Sequence, residues 1–484
     1  MTPRAAMSAT SALDTEVLVI GSGAGGATTA AKLAAAGRTV MVVEEGPWID
    51  PDAVEPFSLE EMVLKYRHRG SCGTIGAPPV AYAEGRCVGG STEINSGLWH
   101  RLPSYLSDEW RSTYEIEDFT DDVLDKYAEE VEQAQGVSLL PTAPPESSAA
   151  LERGATKLGW RAVEFPRVFK YDDRGRGVKQ TMARTMIPRA LAEGATITSE
   201  CRVLKLLRAG DQVTGALCER RTPDGVVERV VINADHVFVC GGAIQTPALL
   251  QRSGVRGQAG TGLKLHPTIK IAARFGSPVD HVGVPMHRIT EFAPSLTIGG
   301  SVSRKGHIAL ALSDSAADFT QALDDWERVF VYYAAIRGDA SGRVLAVPGL
   351  KAPIVSYRLT DADLSRLARG LIHLGEVLLA AGAVELYPSV IGGRVVRRTD
   401  ELASWWDSVT RSTANLMTVH LTSTVRMGEA RERTAADSFG SVWGFRNLRV
   451  NDASLLPDAP GVNPQAAIMT IATRNAEHFL ATTT

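Results

Sequence analysis

A glycine-rich hexapeptide, GSGAGG at residues 21–26, constrains the fold more tightly than any other feature of the sequence. The apolar residues 16–20 before it predict a buried strand, and the Ala-rich residues 24–36 after it predict a helix that ends near Gly37. A second apolar run, residues 39–43, ends at Glu44. This order of strand, glycine turn, helix, strand and acidic residue within about 30 residues predicts a parallel β-α-β unit.

This unit is typical of dinucleotide binding. One glycine allows the tight turn, the next lets the backbone approach a pyrophosphate, and the third lets the helix pack closely on the strand. These are, in order, Gly21, Gly23 and Gly26. The helix N-terminus at Ala24 and Gly25 offers N–H groups to phosphate, and Glu44 offers acceptors to ribose hydroxyls while repelling a 2′-phosphate. The alternative is a tight turn without a ligand, and the motif alone does not separate NAD from FAD.

Composition excludes several classes of protein. Apolar residues make up 44% and charged residues 22% of the 484, as in an ordinary globular protein of two or three domains. The net charge of −4 lacks the basic excess that nucleic acid binding requires. No apolar run approaches the ~20 residues of a membrane-spanning helix. We therefore expect no nucleic acid partner and no membrane span.

The N-terminus and the cysteines bear on localisation. The first sixteen residues lack the apolar segment of a secretion signal and predict a loose tail, in which Met7 is a second possible start. The five cysteines are scattered, odd in number and without CxxC spacing, which argues against a disulfide framework and a zinc site. We expect no bound metal and a cytoplasmic location.

Further along, the pattern alternates between helices and β-rich runs. Helical spacing occupies residues 107–132, 148–158, 361–381 and 465–479, and β-rich runs occupy 203–207, 213–219, 226–232, 236–240 and 448–450. The predicted strand at 448–450 and the helix at 465–479 repeat the strand, turn and helix order, so we expect them to belong to the first domain. Residues 266–356 mix strand-like alternation with turns and predict a second domain.

Four motifs carry a resemblance to a known family. They are GRCVGGSTEINSG at 85–97, VFVCGGAIQTPALLQRSG at 237–254, HLTSTVRMG at 420–428, and the segment 447–479 with its GVNPQ and ATRN. Their order resembles that of the glucose-methanol-choline (GMC) flavin oxidoreductases over nearly the whole chain. The C-terminal segment is most similar to the cholesterol oxidase and long-chain alcohol oxidase branches.

The resemblance implies an α/β fold, α+β overall, with a Rossmann-like FAD-binding domain and a discontinuous substrate-binding domain built on a β-sheet with helices. We assign residues 14–105, 180–265 and 418–484 to the FAD-binding domain. Residues 106–179 and 266–417 then form a helical insert and the substrate-binding domain.

The resemblance also implies a set of FAD-binding residues. Val203 matches a residue whose backbone meets adenine, and Asp452 and Ala453 match a pair beside the pyrophosphate and flavin. Ile94 stands where some members carry a histidine bonded to flavin, which implies non-covalent FAD. The full set is Gly21, Gly23, Ala24, Gly25, Gly26, Glu44, Glu45, Gly89, Gly90, Ser91, Asn95, Val203, Gly241, Asp452, Ala453, Asn463 and Pro464.

Two residues match the family's catalytic positions. His420 suits proton transfer because imidazole titrates near neutral pH, and the amide of Asn463 suits a substrate oxygen. A lone histidine is more often structural, and Asn463 with Pro464 could instead cap the helix that follows. The family often has a glycine after this histidine, whereas Leu421 stands here and Thr422 and Ser423 add further bulk.

The leading hypothesis is FAD-dependent oxidation of an alcohol to a carbonyl, with hydride passing to flavin N5 and O₂ or another acceptor reoxidising the flavin. A hydroxynitrile-lyase-like enzyme with non-redox FAD is the alternative, and an interaction protein with a degenerate flavin site is a third. The alcohol could be sugar-like or another natural-product intermediate. Trp99 fits either a stacking face or a core anchor, and Asp314, Asp318, Asp324 and Asp325 fit either a solvated face or an amine-binding cluster.

Overall fold

The computed structural model describes residues 11–279, 286–315 and 319–483. Its α-helices are α1 (Ala24–Ala35), α2 (Leu59–Lys65), α3 (Ser104–Tyr114), α4 (Asp121–Gln135), α5 (Glu146–Leu158), α6 (Met186–Ala192), α7 (Gly242–Arg252), α8 (Lys305–Leu312), α9 (Thr320–Asp324), α10 (Asp361–Ala381) and α11 (Gln465–Thr482). Short 3₁₀ turns occupy Arg67–Gly70, Gly90–Thr92, Trp326–Arg328, Thr399–Trp405 and Ala453–Leu455.

Its strands are β1 (Ser11–Ile20), β2 (Val40–Val43), β3 (Cys72–Gly73), β4 (Val80–Tyr82), β5 (Ala162–Glu164), β6 (Phe169–Tyr171), β7 (Gly177–Lys179), β8 (Thr196–Thr198), β9 (Cys201–Ala209), β10 (Gln212–Arg221), β11 (Val227–Val239), β12 (Thr261–Leu265), β13 (Thr268–Phe275), β14 (His287–Ile289), β15 (Leu296–Gly300), β16 (Val329–Ile336), β17 (Gly342–Leu345), β18 (Ile354–Ser356), β19 (Ala383–Pro388), β20 (Leu416–Thr418), β21 (Leu421–Thr422) and β22 (Leu448–Val450).

The first sheet confirms the predicted β-α-β unit. Its strand order is β8-β2-β1-β11-β10-β9, and β22 also pairs with β11. Strands β8, β2, β1, β11 and β22 run parallel, whereas β9 and β10 form an antiparallel extension. The carboxyl ends of β1, β2, β11 and β22 therefore meet at one edge, where a ligand binds in an open α/β sheet.

Two expectations for this sheet were wrong. Residues 11–15 are not part of a loose tail, because they extend β1 along β11, with Ser11 opposite Val230. The rest of the predicted tail, residues 1–10 with Met7, lies outside the described residues. The runs at 226–232 and 236–240 are not separate strands, because β11 continues unbroken across them. Strand β11 has 13 residues and is therefore long enough to pair with the beginning of β1, whose polar residues did not predict a strand.

The second sheet is built mainly from strands of residues 266–417, the segment predicted to belong to the substrate-binding domain. Its order is β3-β4-β20-β13-β16-β15-β14-β5, and β19 also pairs with β13. One face is covered by α5 and α10, whose apolar residues share a core with Ile271, Phe330 and Ala334. Strands β3 and β4, which the sequence analysis placed in the first domain, join this sheet because β4 runs parallel beside β20. Smaller sheets have the orders β18-β17-β12-β21 and β6-β7.

Helix predictions succeeded where capping is strong. Helix α10 has the predicted bounds because the hydroxyl and backbone of Thr360 form a capping box with Asp363 and because Gly382 ends it at φ +101°. The predicted helical stretch at 107–132 is two helices, since Glu115 adopts φ +54° after α3. Among the described helices, none is long and apolar enough to cross a bilayer.

A buried arginine ties α11 to the segment between α3 and α4. Arg474 is 2% exposed, and its guanidinium donates to the carbonyls of Asp118 at 3.0 Å, Ser438 at 2.8 Å and Glu117. It also donates to Asn475 Oδ1 at 2.9 Å. Burial lowers the pKa of Arg474 to about 10, so the side chain keeps its charge at neutral pH.

Replacing Arg474 with Met should destabilise the fold. The substitution keeps an apolar stem but leaves several buried acceptors without a donor, which costs roughly 3 kcal/mol. We expect the melting temperature of Arg474→Met to fall by several degrees in thermal unfolding followed by circular dichroism. Arg446→Met is the control, because Arg446 is exposed and pairs only with Asp211. Equal melting temperatures for the two variants would contradict this role.

Candidate active site

The first glycine loop and the first turn of α1 are in close backbone contact with the residues that follow two strands, β11 and β22. Gly21 has φ +104°, and a Cβ there would lie 2.4 Å from the carbonyl oxygen of Cys240. A Cβ on Gly25 would lie 2.0 Å from the carbonyl oxygen of Asn451, and a Cβ on Gly26 would lie 2.0 Å from the carbonyl oxygen of Gly21. Glycine is required at these positions because the ends of β11 and β22 leave no space for a side chain.

The second glycine loop meets the first. Gly89 and Gly90 have φ of +95° and +55°, and a Cβ on Gly90 would lie 2.9 Å from Gly23 Cα. Ser22 joins the two loops, since its Oγ accepts from the Gly89 N–H at 3.1 Å and donates to Glu44 at 2.7 Å. Ser22 was not predicted as a site residue, because the variable positions of a glycine motif carry no signal of their own.

The two acidic residues after β2 have different surroundings. The Glu44 carboxylate accepts from the N–H groups of Ser22 at 3.1 Å and Gly46 at 2.8 Å, and burial raises its pKa. Burial also raises the pKa of Glu45, but the guanidinium groups of Arg67, at 3.1 Å, Arg202 and Arg86 together outweigh burial and lower this pKa to about 2. Glu44 therefore faces the glycine loops, whereas Glu45 belongs to an ion-pair cluster.

Asn95 links the second glycine loop to the start of α11. Its Nδ2 donates to Gln465 Oε1 at 2.7 Å, and its Oδ1 accepts from the Gly97 N–H at 3.0 Å. Its carbonyl accepts from Lys179 Nζ at 2.8 Å. Ser91, at the exposed side of the same loop, accepts through Oγ from a backbone N–H at 2.9 Å.

The turn that follows β22 is hydrogen-bonded to α7. The Asp452 carboxylate accepts from the Gly242 N–H at 2.7 Å and from Thr246 Oγ1 at 2.5 Å, and burial raises its pKa. Gly241, the residue before α7, donates its N–H to the same Thr246 hydroxyl at 2.9 Å. The Ala453 carbonyl accepts from a backbone N–H at 3.2 Å. Because the Asp452 side chain is engaged with protein, we expect the backbone of this turn to face a cofactor.

These surroundings fit a dinucleotide. In the described residues no side chain caps the N-terminus of α1 or of α11, so both helices present free N–H groups. A Cβ on Gly23 would meet only Gly90 Cα, at 4.0 Å, so the backbone between the loops is accessible to a pyrophosphate. Val203 lies on β9, two residues after the Cys201 N–H that donates to the Glu44 carbonyl at 2.8 Å.

A chain of polar groups lies beside this cradle. His420 Nδ1 is 2.9 Å from His266 Nδ1, and His420 Nε2 is 3.2 Å from the side-chain nitrogen of Asn463. The Gly461 N–H donates to His266 Nε2 at 2.9 Å. The structure thus brings the two predicted catalytic residues together. Asn463 does not cap α11, which begins after Pro464.

Sequence analysis missed His266. It follows β12 with no flanking motif that would separate it from a structural histidine. Burial lowers the pKa of His266 well below its usual range and that of His420 to about 4, so both rings are neutral at pH 7.

Backbone geometry selects one tautomer of the histidine pair. A neutral imidazole has one proton, and His266 accepts at Nε2 from Gly461, so its proton lies on Nδ1. His420 must then accept at Nδ1 and hold its own proton on Nε2. An Asn463 nitrogen opposite Nε2 would then put two donors face to face. The amide is therefore expected to be turned by a half-turn, so that Oδ1 accepts the Nε2 proton.

Two other expectations concerned side chains near the site. Trp99 is a core anchor, since it is 1% exposed and donates through Nε1 to Glu132 at 2.8 Å. Asp314 accepts from the Asn415 amide at 2.8 Å, and Asp325 lies 3.8 Å from Arg274. Asp318 lies outside the described residues, and the described acids do not form an amine-binding cluster.

Known proteins resemble this chain along its length. Two family models described as GMC oxidoreductase match residues 62–268 and 340–472. An uncharacterized GMC-type oxidoreductase of Sinorhizobium fredii is 39% identical, over 97% of this chain and 95% of that protein. A long-chain-alcohol oxidase of Arabidopsis thaliana is 26% identical, over 95% of this chain and 66% of that protein. Pyridoxine 4-oxidase from Mesorbium loti superposes with a TM-score of 0.73 at 20% identity, covering 96% of this chain and 99% of that one.

Replacing Glu44 with Ala should weaken FAD binding while leaving the fold intact. The change removes the predicted acceptor for the ribose hydroxyls and the carboxylate that holds the Ser22 hydroxyl, so we expect the Kd for FAD to rise about 10- to 100-fold. Fluorescence titration of the apoprotein with FAD measures this. Glu228→Ala is the control, because Glu228 pairs with Arg220 away from these loops. An unchanged Kd for Glu44→Ala would remove Glu44 from the cofactor site.

The tautomer of the histidine pair can be observed directly. In ¹⁵N NMR of the holoenzyme at pH 7, we expect His420 to show an unprotonated Nδ1 and a protonated Nε2. His420→Ala and His266→Ala variants assign the signals. His373 is an internal reference for a protonated Nδ1, since its Nδ1 lies 2.8 Å from a Glu376 oxygen. A protonated Nδ1 on His420 would contradict the deduction.

Proposed function

The chain belongs to the GMC oxidoreductase family, and from this premise we propose that it oxidises an alcohol to a carbonyl compound, with His420 and Asn463 holding the reacting hydroxyl. The observation that carries the proposal is the pairing of His420 Nε2 with the Asn463 amide at 3.2 Å. Both groups lie beside two uncapped helix N-termini and two interlocking glycine loops, which fit FAD.

Each residue has a distinct task. His420 accepts the hydroxyl proton at Nε2 as the O–H bond breaks, and Asn463 fixes the oxygen by a hydrogen bond so that the carbinol C–H bond is oriented for cleavage. FAD, held by the glycine loops and Glu44, supplies the acceptor for the hydride and its electron pair. The pKa of about 4 leaves His420 unprotonated at neutral pH, although it also makes the ring a weak base.

His266 controls how readily His420 accepts that proton. To accept at Nε2, His420 must hold its own proton on Nδ1, so His266 must accept at Nδ1 and carry its proton on Nε2. That nitrogen now accepts from the Gly461 N–H at 2.9 Å, and this bond would be lost. Losing one buried hydrogen bond costs about 1–3 kcal/mol. The base-competent tautomer is therefore the minor form, which a bound alcohol selects.

FAD is proposed to be bound without a covalent link, because Ile94 is an aliphatic residue that is 7% exposed in the second glycine loop. O₂ or another acceptor is proposed to reoxidise the flavin. The relative named a long-chain-alcohol oxidase and the fold neighbour named pyridoxine 4-oxidase support an alcohol as the substrate class.

Replacing His420 with Ala should leave FAD binding intact but slow flavin reduction about 10²- to 10⁴-fold, because a positioned base is lost. Asn463→Ala should slow flavin reduction less, since the base remains. The double variant should slow it by a factor smaller than the product of the two single factors. Anaerobic stopped-flow absorbance at the flavin band measures the reduction rate.

His373→Ala is the control, because His373 lies on α10 and contacts Glu376 rather than the site. Reduction of His420→Ala within a few-fold of the unmodified enzyme would show that another group is the base.

A further inference from the structure

A buried, unpaired arginine lies next to the proposed reaction centre. Arg288 on β14 is 8% exposed, and within the described residues neither its Nε nor its Nη1 has a hydrogen-bond partner. Among the same residues no carboxylate forms an ion pair with it, and its guanidinium lies over the Phe165 ring, with Cζ 5.0 Å from the ring centroid. Burying a guanidinium without an anion is costly, so the position implies a negatively charged ligand.

Arg288 belongs to a row of side chains on one face of the second sheet. It pairs with Gly299 on β15, which pairs with Tyr333 on β16, which pairs with Lys270 on β13. Residues directly opposite one another across strands point to the same face. The acid Asp314 offsets the charge of Lys270, whereas nothing in the described chain offsets that of Arg288.

This face borders the histidine chain. Thr297, two residues before Gly299 on the same strand, donates to the Gly461 carbonyl at 3.3 Å, and Gly461 is the residue that holds His266. The opposite face of the sheet is covered by α5 and α10. The row that contains Arg288 lies on the other face, which α8 covers at Ala272 and Val331 and which borders the reaction centre at Thr297.

A small cavity opens beside Arg288. It is lined by Leu98, His100, Phe165, Met286, Arg288 and Tyr333, among others. Both ring nitrogens of His100 are buried and have no hydrogen-bond partner in the described part of the chain, and its ring centroid lies 3.9 Å from that of Phe165. Burial lowers the pKa of His100 well below its usual range, and the Arg288 guanidinium and a protonated His420 would lower it further, which places His100 within electrostatic range of both groups.

We infer that Arg288 binds a carboxylate of the substrate, so that the alcohol this enzyme oxidises is a hydroxy acid with an apolar body. This inference rests on the proposed function for the oxidised hydroxyl. One uncompensated guanidinium matches the single charge of a carboxylate, with the forked geometry that suits two oxygens, better than the nearly double charge of a phosphate. His100 supplies a further hydrogen bond, and the aromatic and aliphatic lining supplies contact for the apolar body.

The test compares matched ligands on the FAD-loaded enzyme. The probes are 4-(hydroxymethyl)benzoate, its methyl ester and 4-(hydroxymethyl)phenyl phosphate, and the readout is the change in flavin absorbance on anaerobic titration. We expect the carboxylate to bind about 10- to 100-fold more tightly than the ester, and Arg288→Leu to abolish that preference without changing the affinity for the ester. Arg288→Lys should restore part of the preference.

Arg274→Leu is the matched control, because Arg274 lies on the same sheet and is paired with Glu385. Equal binding of acid and ester by the unmodified enzyme, or tighter binding of the phosphate, would overturn the inference, as would loss of FAD from Arg288→Leu. Selective binding of the acid without flavin reduction would instead count against the proposed oxidation, so the two failures are distinguishable.

Discussion

Contact between backbones at the first turn of α1 is the constraint on which the rest of this structure depends. The ends of β11 and β22 and the loop at Gly90 approach that turn so closely that side chains are excluded. Segments far apart in sequence are therefore fixed around one helix N-terminus. The position of the cofactor cradle follows from these contacts, and the position of the reacting groups follows from the cradle.

The reacting residues are carried by loops that follow strands of different sheets. Strand β22 leads into the loop that carries Gly461 and Asn463, and β12 leads into His266. His420 follows β20, an element of the second sheet. The hydrogen-bonded chain from Gly461 through His266 to His420 therefore joins residues of both parts of the molecule, and its backbone donor sets the protonation of a side chain that would touch substrate.

The sequence was sufficient for features with local causes. The glycine turn, α10 with its capping box and β22 follow from short-range patterns that act through backbone conformation. The pairing of His420 with Asn463 was accessible only through family resemblance, because 43 residues separate them. His266, Ser22 and Arg288 were not accessible, since each acquires its role from a partner brought near by tertiary structure. The extension of β1 to Ser11 was missed for a similar reason, because its partner is the distant strand β11.

In the proposed reaction the chain's own residues bind and deprotonate the hydroxyl of an alcohol, and FAD, when bound, would supply the acceptor for hydride from the carbinol carbon. The most direct measurement is anaerobic mixing of the holoenzyme with a panel of primary and secondary alcohols, each with hydrogen or deuterium at the carbinol carbon. We expect a substrate to bleach the flavin band and deuterium to slow the bleaching several-fold. A flavin that stays oxidised while the enzyme cleaves a cyanohydrin such as mandelonitrile to aldehyde and cyanide would contradict the proposed oxidation.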